Sequence, residues 1–151
     1  MKIALGADHR GYDAKARIIA LVKELGNEAF DFGTDSTKSA DYPDPAFAAA
    51  SAVQKGECQA GILFCGTGIG MSITANKLHG IRAALCHDEL TAEMARRHNN
   101  ANILCLPADL IGDALMRRIV EVWLNTEFEG GRHERRVEKI TEIEHRQCKS
   151  E

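Results

Sequence analysis

A cysteine before alternating glycines is the feature of this sequence best suited to chemistry. Glycines let a backbone approach an anion closely, and a following helix N-terminus supplies unpaired N–H groups and positive potential. A thiolate beside such amides could remove a proton from carbon while the amides hold the oxyanion. The same pattern is also typical of a core cysteine before an ordinary turn, or of a nucleotide-binding loop. The residues are Cys65, Gly66, Thr67, Gly68, Ile69 and Gly70.

Three other groups of polar residues could bind or transfer protons. Asp8 and His9 follow the first apolar run, where they could serve a substrate or only shape a loop. His98 ends a predicted helix, a place where histidine also complements the helix dipole. Arg132 and Arg136 are four residues apart, so a helix would place both guanidinium groups on one face. That face suits a phosphate, although a solvated basic face has the same pattern.

Composition and the other cysteines exclude several classes of protein. A net charge of -3 argues against a nucleic-acid partner, and no apolar run has the roughly 18 residues of a membrane span. Five cysteines without a Cys-x-x-Cys pair favour a reducing, cytoplasmic location. His87 and Asp88 lack the spacing of a metal site, so no metal is predicted. At 151 residues the chain is predicted to form a single domain over 1–151.

Short apolar runs alternate with helical periodicity along the chain. Strict β-α alternation predicts the α/β class: a doubly wound, Rossmann-like, five-stranded parallel sheet with helices on both faces. A flavodoxin-like order, 2-1-3-4-5, would bring the ends of strands one and three together, so that Asp8 faces Cys65 across one crevice. Strands are predicted at 2–7, 28–32, 60–65, 81–86 and 102–106, and helices at 12–25, after the 41–45 turn, and at 69–78, 88–98, 110–125 and 133–147.

Seven short motifs occur in one order from the first strand to the last helix. They are Gly6-Ala7-Asp8-His9-x-Gly11, Asp41-Tyr42-Pro43, Cys65-Gly66-Thr67-Gly68-x-Gly70, Ala75-Asn76-Lys77, Gly80-Ile81-Arg82-Ala83, His98-Asn99 and Gly130-Gly131-Arg132-His133-x-x-Arg136-Val137. Together they resemble the ribose-5-phosphate isomerase B family, which also includes allose-6-phosphate and galactose-6-phosphate isomerases. The resemblance covers nearly the whole chain.

The resemblance implies an aldose–ketose isomerisation through a cis-enediolate, without cofactor or metal. The first choice of substrate that it implies is ribose 5-phosphate, of the pentose phosphate pathway. A hexose 6-phosphate, or a non-enzymatic phosphate-binding or nucleotide-binding role, stays open. The resemblance assigns the proton transfer between C2 and C1 to Cys65. It assigns ring opening to His98 with Asp8, and proton transfer among the oxygens to Thr67. The resemblance further implies that the enediolate is bound by the amides of Gly66, Gly68 and Gly70. It implies that the phosphate is bound by His9, Arg132 and Arg136, and that the sugar is lined by Tyr42 and Asn99.

One residue departs from the family pattern. Many relatives carry an arginine in the loop after the fifth strand, where it helps to bind phosphate. This chain has Asp109 at the aligned position. An acid there would repel a phosphate dianion, so the sequence leaves the preferred sugar open.

The order of the motifs also predicts a homodimer, possibly a dimer of dimers, with shared sites. His98 precedes strand five and belongs near the amino end of the sheet, whereas Cys65 ends strand three. One chain of this size could not easily bring both to one sugar, but a two-fold-related partner could. The C-terminal helical segment 127–151 is predicted at that interface, because it carries a narrow apolar stripe. The stripe consists of Val137, Ile140 and Ile143.

Overall fold

Five strands and six helices make up residues 1–148, the part of the chain that the computed structural model describes. All strand pairs are parallel, which confirms the predicted α/β class. The last three residues of the predicted segment 127–151 lie outside the described part. In chain order the elements are β1 (Lys2–Ala7), α1 (Tyr12–Glu24), β2 (Glu28–Asp31), α2 (Pro43–Gln54), β3 (Ala60–Cys65), α3 (Ile69–Ala75), β4 (Ala83–Leu85), α4 (Glu89–Arg97), β5 (Ile103–Pro107), α5 (Asp113–Asn125) and α6 (Arg132–Cys148).

The sheet has an apolar core on each face. β3 is buried along its whole length, and its side chains alternate between the two cores, as a strand covered on both sides requires. Ile62 and Phe64 join the core formed with α1, α4 and α5. Leu63 and Cys65 join the core formed with α2 and α3. The prediction of helices on both faces is therefore confirmed.

The order of the strands is β2-β1-β3-β5-β4, so the predicted order 2-1-3-4-5 is wrong for the last two strands. β5 is five residues long and buried throughout, and it takes the place beside β3. β4 has only three residues, Ala-Ala-Leu, all half-buried, which suits the edge of a sheet. As a consequence, the loop after β5 lies next to the glycine turn that follows β3.

The elements α3 and β4 are both shorter than predicted, and asparagine side chains contact the backbone at their ends. Asn76 follows α3 directly, and its side chain exchanges two hydrogen bonds with the backbone of Ala83, at 2.8 and 2.9 Å. That contact stops α3 at Ala75 rather than at residue 78 and joins it to β4. Arg82 donates its N–H to the side chain of Asn102 at 2.8 Å, just before β4 begins.

The neighbouring position of β1 and β3, on which the predicted crevice depends, is confirmed. Leu5 pairs with Ile62 and Ala7 with Phe64, so the two strands end side by side. The polar residues that follow them therefore meet at the carboxyl edge of the sheet. Within residues 1–148, no helix has the length and apolar character needed to cross a bilayer.

Candidate active site

Cys65 lies at the carboxyl end of β3 and is 5% exposed. The N–H of Gly68 donates a hydrogen bond to its Sγ at 3.1 Å. Gly68 has a φ of 74°, a left-handed conformation that favours glycine, and a Cβ there would collide with Leu85 at 2.5 Å. The turn thus aims a backbone amide at the sulfur, and this arrangement complements negative charge on it. Thr67 is exposed in the middle of the same turn.

The other cysteines in or next to the strands, Cys86 and Cys105, are unsuited to proton transfer. Burial raises the pKa of Cys86 to about 11. Burial also raises the pKa of Cys105, in the middle of β5, well above its ordinary value. Both therefore remain neutral thiols near pH 7, and both belong to the core, as predicted from the sequence.

Asp8 shapes the loop that faces Cys65. Its Oδ1 accepts hydrogen bonds from the N–H groups of Arg10 at 2.9 Å and Gly11 at 3.1 Å. Its own N–H donates to the carbonyl of Phe64 at 3.2 Å, which holds the loop against the end of β3. The structural role considered for Asp8 is therefore real, and the loop it shapes borders the proposed crevice.

His9, in the loop after β1, and Tyr42, at the end of the long connection between β2 and α2, also lie at this edge. Nδ1 of His9 lies 3.2 Å from the backbone nitrogen of Ala40 and 3.3 Å from its carbonyl oxygen, so Ala40 engages this nitrogen in either tautomer. The ring of Tyr42 lies over Gly70, where a Cβ would come within 2.6 Å of it. We call this group the carboxyl-edge cluster; its predicted members are Asp8, His9, Tyr42, Cys65, Gly66, Thr67, Gly68 and Gly70.

An ion pair that the sequence did not predict also lies at this edge. Nε of Arg10 is 2.7 Å from Oδ2 of Asp109. The N–H of Asp109 donates to the carbonyl of Gly66 at 3.1 Å, since β5 neighbours β3. Asp109 is thus not the isolated acid that its alignment with a basic position indicated. A search for opposite charges in the loops after β1 and β5 could have found the pair, but only with the correct strand order.

The other predicted residues gather at the opposite edge. His98 follows α4, and its ring stacks on that of His133 with centroids 4.1 Å apart and planes 9° from parallel. His133 is 5% exposed and was not assigned a role from the sequence. Arg97 donates to Glu129 at 2.9 Å, which ties the chain before α6 to the end of α4. We call this group the amino-edge cluster; its predicted members are His98, Asn99, Arg132 and Arg136.

The two clusters lie at opposite edges of the sheet within one chain. Cys65 pairs with Pro107 at the end of β5, whereas His98 precedes the start of β5 at Ile103. Four residues of a parallel strand span about 13 Å. The structure therefore brings the predicted residues together in two groups and does not bring Cys65 to His98.

One set of potential metal ligands occurs among residues 1–148. Ligand atoms of His98, Glu129 and His133 lie within 4.8 Å of one another. The lone pair of an imidazole nitrogen lies in the plane of its ring. Because the two rings are stacked and nearly parallel, their lone pairs run side by side and do not converge on one ion. This geometry fits a packed imidazole pair better than a metal site.

The burial of His133 leads us to expect that the unfolding free energy depends on pH. Burial first, and the nearby His98 second, lower the pKa of His133 below its ordinary value of 6.5. The folded chain then binds this proton less readily than the unfolded chain. The stability contributed by neutral His133 is complete above the unfolded pKa and declines as the pH falls through and below it. His133→Gln should therefore reduce the loss of unfolding free energy between about pH 7.5 and about pH 5.5. Denaturant unfolding at equal protein concentration measures this loss, and an unchanged loss would contradict the assignment.

Comparison with known proteins agrees with the site. The model of the ribose/galactose isomerase family matches residues 3–140. Ribose-5-phosphate isomerase B of Escherichia coli is 48% identical over 145 residues, 96% of this chain and 97% of the relative. D-erythrulose-4-phosphate isomerase of Pectobacterium atrosepticum is 45% identical over 148 residues, 97% of each chain.

Solved structures agree as well. The structure of ribose-5-phosphate isomerase B from Clostridium thermocellum matches with a TM-score of 0.96 and 51% identity, covering 97% of this chain and 99% of that one. Fold, sequence and the order of the motifs thus agree over nearly the full length. This chain is a sugar-phosphate aldose–ketose isomerase and belongs to the ribose/galactose isomerase family.

Proposed function

We propose that the protein interconverts ribose 5-phosphate and ribulose 5-phosphate through a cis-enediolate, with Cys65 as the base. The observation that carries this proposal is the Gly68 N–H donated to Sγ of Cys65 at the carboxyl end of β3. Similarity to ribose-5-phosphate isomerases B favours the pentose phosphate. The D-erythrulose-4-phosphate isomerase is nearly as similar, so overall identity alone does not select the sugar.

The proposed reaction moves one proton between neighbouring carbons. The Cys65 thiolate takes the proton from C2 of the open-chain aldose. The C–H electron pair then forms the C1–C2 double bond, and the C1 carbonyl oxygen becomes an oxyanion held by the amides of the turn from Gly66 to Gly70. Thr67 moves a proton from the oxygen on C2 to the oxygen on C1. The Cys65 thiol returns its proton to C1 as the C2 carbonyl forms.

Ring opening and binding belong to the remaining residues of the two clusters. In the proposal His98, with Asp8, transfers the protons that open the furanose. His9 presents Nε2 to the phosphate, since Ala40 occupies its Nδ1. The other proposed contacts are Arg132 and Arg136 to phosphate, and Tyr42 and Asn99 to the sugar.

We further propose that each active site is shared by two chains of a homodimer. The separation of the two clusters along β5 supports this, because one chain alone does not assemble Cys65 with His98. An isologous dimer offers each patch to the partner, so the amino-edge cluster of one chain can complete the carboxyl-edge cluster of the other.

A groove beside α6 supports the same assembly. Its volume is about 690 Å³, and its lining includes Asn99 of the amino-edge cluster. Ile140 and Ile143 line the groove and are 48% and 53% exposed. Such exposure is typical of an apolar helix face that a partner chain covers. In the proposal, the part of the segment 127–151 that the structure describes, which includes α6, forms the dimer interface, and two such dimers could associate further.

A panel of substrates tests the proposed function. Ribose 5-phosphate, allose 6-phosphate, galactose 6-phosphate and free ribose are each incubated with the protein, and ketose formation is followed by NMR. The highest kcat/KM is expected for ribose 5-phosphate, with free ribose far lower. A higher kcat/KM for a hexose 6-phosphate would favour the alternative already open from the sequence. No turnover of any phosphorylated sugar would contradict the proposal.

A further inference from the structure

An ion pair lies against the glycine turn, beside the proposed base. The two charged atoms, Nε of Arg10 and Oδ2 of Asp109, are 2.7 Å apart. A Cβ placed on Gly66 would lie 2.7 Å from that oxygen and 3.3 Å from that nitrogen. Gly66 directly follows Cys65, so the pair borders the space in which the proposed mechanism places the sugar.

Both halves of the pair are anchored through their backbones. The N–H of Arg10 donates to Asp8 at 2.9 Å, and the N–H of Asp109 donates to Gly66 at 3.1 Å. The side chains themselves remain accessible, at 61% exposure for Arg10 and 40% for Asp109. Exposed ion pairs contribute little to stability, so a structural role does not account for this placement.

The pair leaves most of the guanidinium group available. Arginine has five N–H donors in a planar fork, and Asp109 engages the Nε side. Among residues 1–148, no other acceptor contacts the fork of Arg10. A guanidinium fork matches the oxygens of a phosphate or carboxylate, and a carboxylate partner on Nε fixes its direction. Because the two charges of the pair cancel, Asp109 does not leave a net negative charge there.

We propose that Arg10 is a specificity-determining residue that binds the anionic group of the substrate through its Nη atoms. Asp109 is a positioning residue that holds Arg10 against Gly66. This inference rests on the proposed function, because it takes the ligand to be a phosphorylated sugar whose reacting carbons lie at Cys65. His9 is next to Arg10 in the chain, so one phosphate could contact both side chains.

Removal of Arg10 should weaken phosphate recognition. Arg10→Gln should raise the KM for ribose 5-phosphate roughly 10- to 100-fold, the effect of losing hydrogen bonds between charged groups, with kcat changed much less. The affinity for inorganic phosphate, measured by calorimetry, should fall by a similar factor. Calorimetry does not depend on which sugar the enzyme prefers.

Asp109→Asn shows whether Asp109 positions Arg10 or only repels the phosphate of the substrate. With Arg10 present, the substitution releases the fork and should raise KM. In an Arg10→Gln background, the same substitution removes an uncompensated negative charge and should lower KM. The matched control is Arg17 with Asp113, another exposed pair, at 2.9 Å, on α1 and α5. Arg17→Gln and Asp113→Asn should leave both KM and phosphate affinity unchanged.

The outcomes separate this inference from the proposed function. A KM and phosphate affinity within about threefold of wild type for Arg10→Gln would overturn the role of Arg10. Asp109→Asn shifting KM in the same direction in both backgrounds would overturn the positioning role. Failure of the wild type to convert any phosphorylated sugar would contradict the proposed function alone. Phosphate calorimetry on Arg10→Gln, Asp109→Asn and the double variant would still decide for or against Arg10 and Asp109.

Discussion

Replacing Cys65 by alanine should abolish turnover and leave the fold intact. General acid–base groups contribute about 10²–10⁴ in rate, and kcat should fall by at least that factor. The kcat of Cys65→Ser should fall almost as far. Its hydroxyl can still accept the hydrogen bond that Gly68 donates to sulfur, but it is far too weak an acid to form the anion at neutral pH. The measurement is kcat by NMR, with circular dichroism as a check on folding.

Cys105→Ala is the matched control for this prediction. Cys105 is fully buried in β5, next to the strand that carries Cys65. Its truncation should reduce the unfolding free energy by roughly 1–3 kcal/mol, as other core truncations do, and leave kcat near the wild-type value. A near-native kcat for Cys65→Ala would show that another group is the base.

The second large effect is a recovery of activity on mixing two inactive variants. Cys65→Ala and His98→Ala should each be inactive as homodimers. If sites are shared, a heterodimer of the two has one site with both residues and one with neither. Each heterodimer should then have half the activity of the wild-type dimer. After random exchange of equal amounts, the mixture should reach about a quarter of wild-type activity.

Subunit exchange itself must be shown for this result to count. Mass spectrometry of differently tagged chains detects the heterodimer directly. Recovery without heterodimer would point to contamination of a variant. A demonstrated heterodimer without activity would place Cys65 and His98 in the site of one chain and end the shared-site proposal. A chain with both substitutions, mixed with wild type, is the reciprocal control. If sites are shared, this heterodimer has no intact site, whereas sites contained within one chain would leave it with one.

The elements of the fold were largely predictable because their periodicity is local. β1 and β3 have the predicted bounds, and the continuous apolar run of β3 correctly indicated a strand covered on both faces. The order of β4 and β5 was not predictable from alternation alone. What decides it is the contrast between the buried Ile-Leu-Cys-Leu-Pro of β5 and the half-buried Ala-Ala-Leu of β4. Bulk, length and burial place β5 inside the sheet, and β4 is left at the edge.

The predicted site was right where the predicted strand order was right, and incomplete where that order was wrong. Neighbouring β1 and β3 brought Asp8 to Cys65 as expected, since that part of the order was right. The Arg10–Asp109 pair depends on β5 lying beside β3, which the predicted order excluded. His133 was visible only as part of a motif. Its stacking on His98 depends on how the chain before α6 folds back onto α4, and no periodicity encodes that.

The central claim is that a base, and not a hydride shift, moves hydrogen between C2 and C1. Isomerisation of ribose 5-phosphate by the wild type in D2O tests it most directly, with NMR of the carbon-bound hydrogens. The proton that Cys65 takes from C2 can exchange with solvent while the enediolate lasts, so part of the ribulose 5-phosphate should carry deuterium at C1. Recovered ribose 5-phosphate should carry deuterium at C2. Absence of deuterium from both carbons after prolonged incubation at equilibrium, over many forward and reverse turnovers, would contradict the enediolate and the role of Cys65.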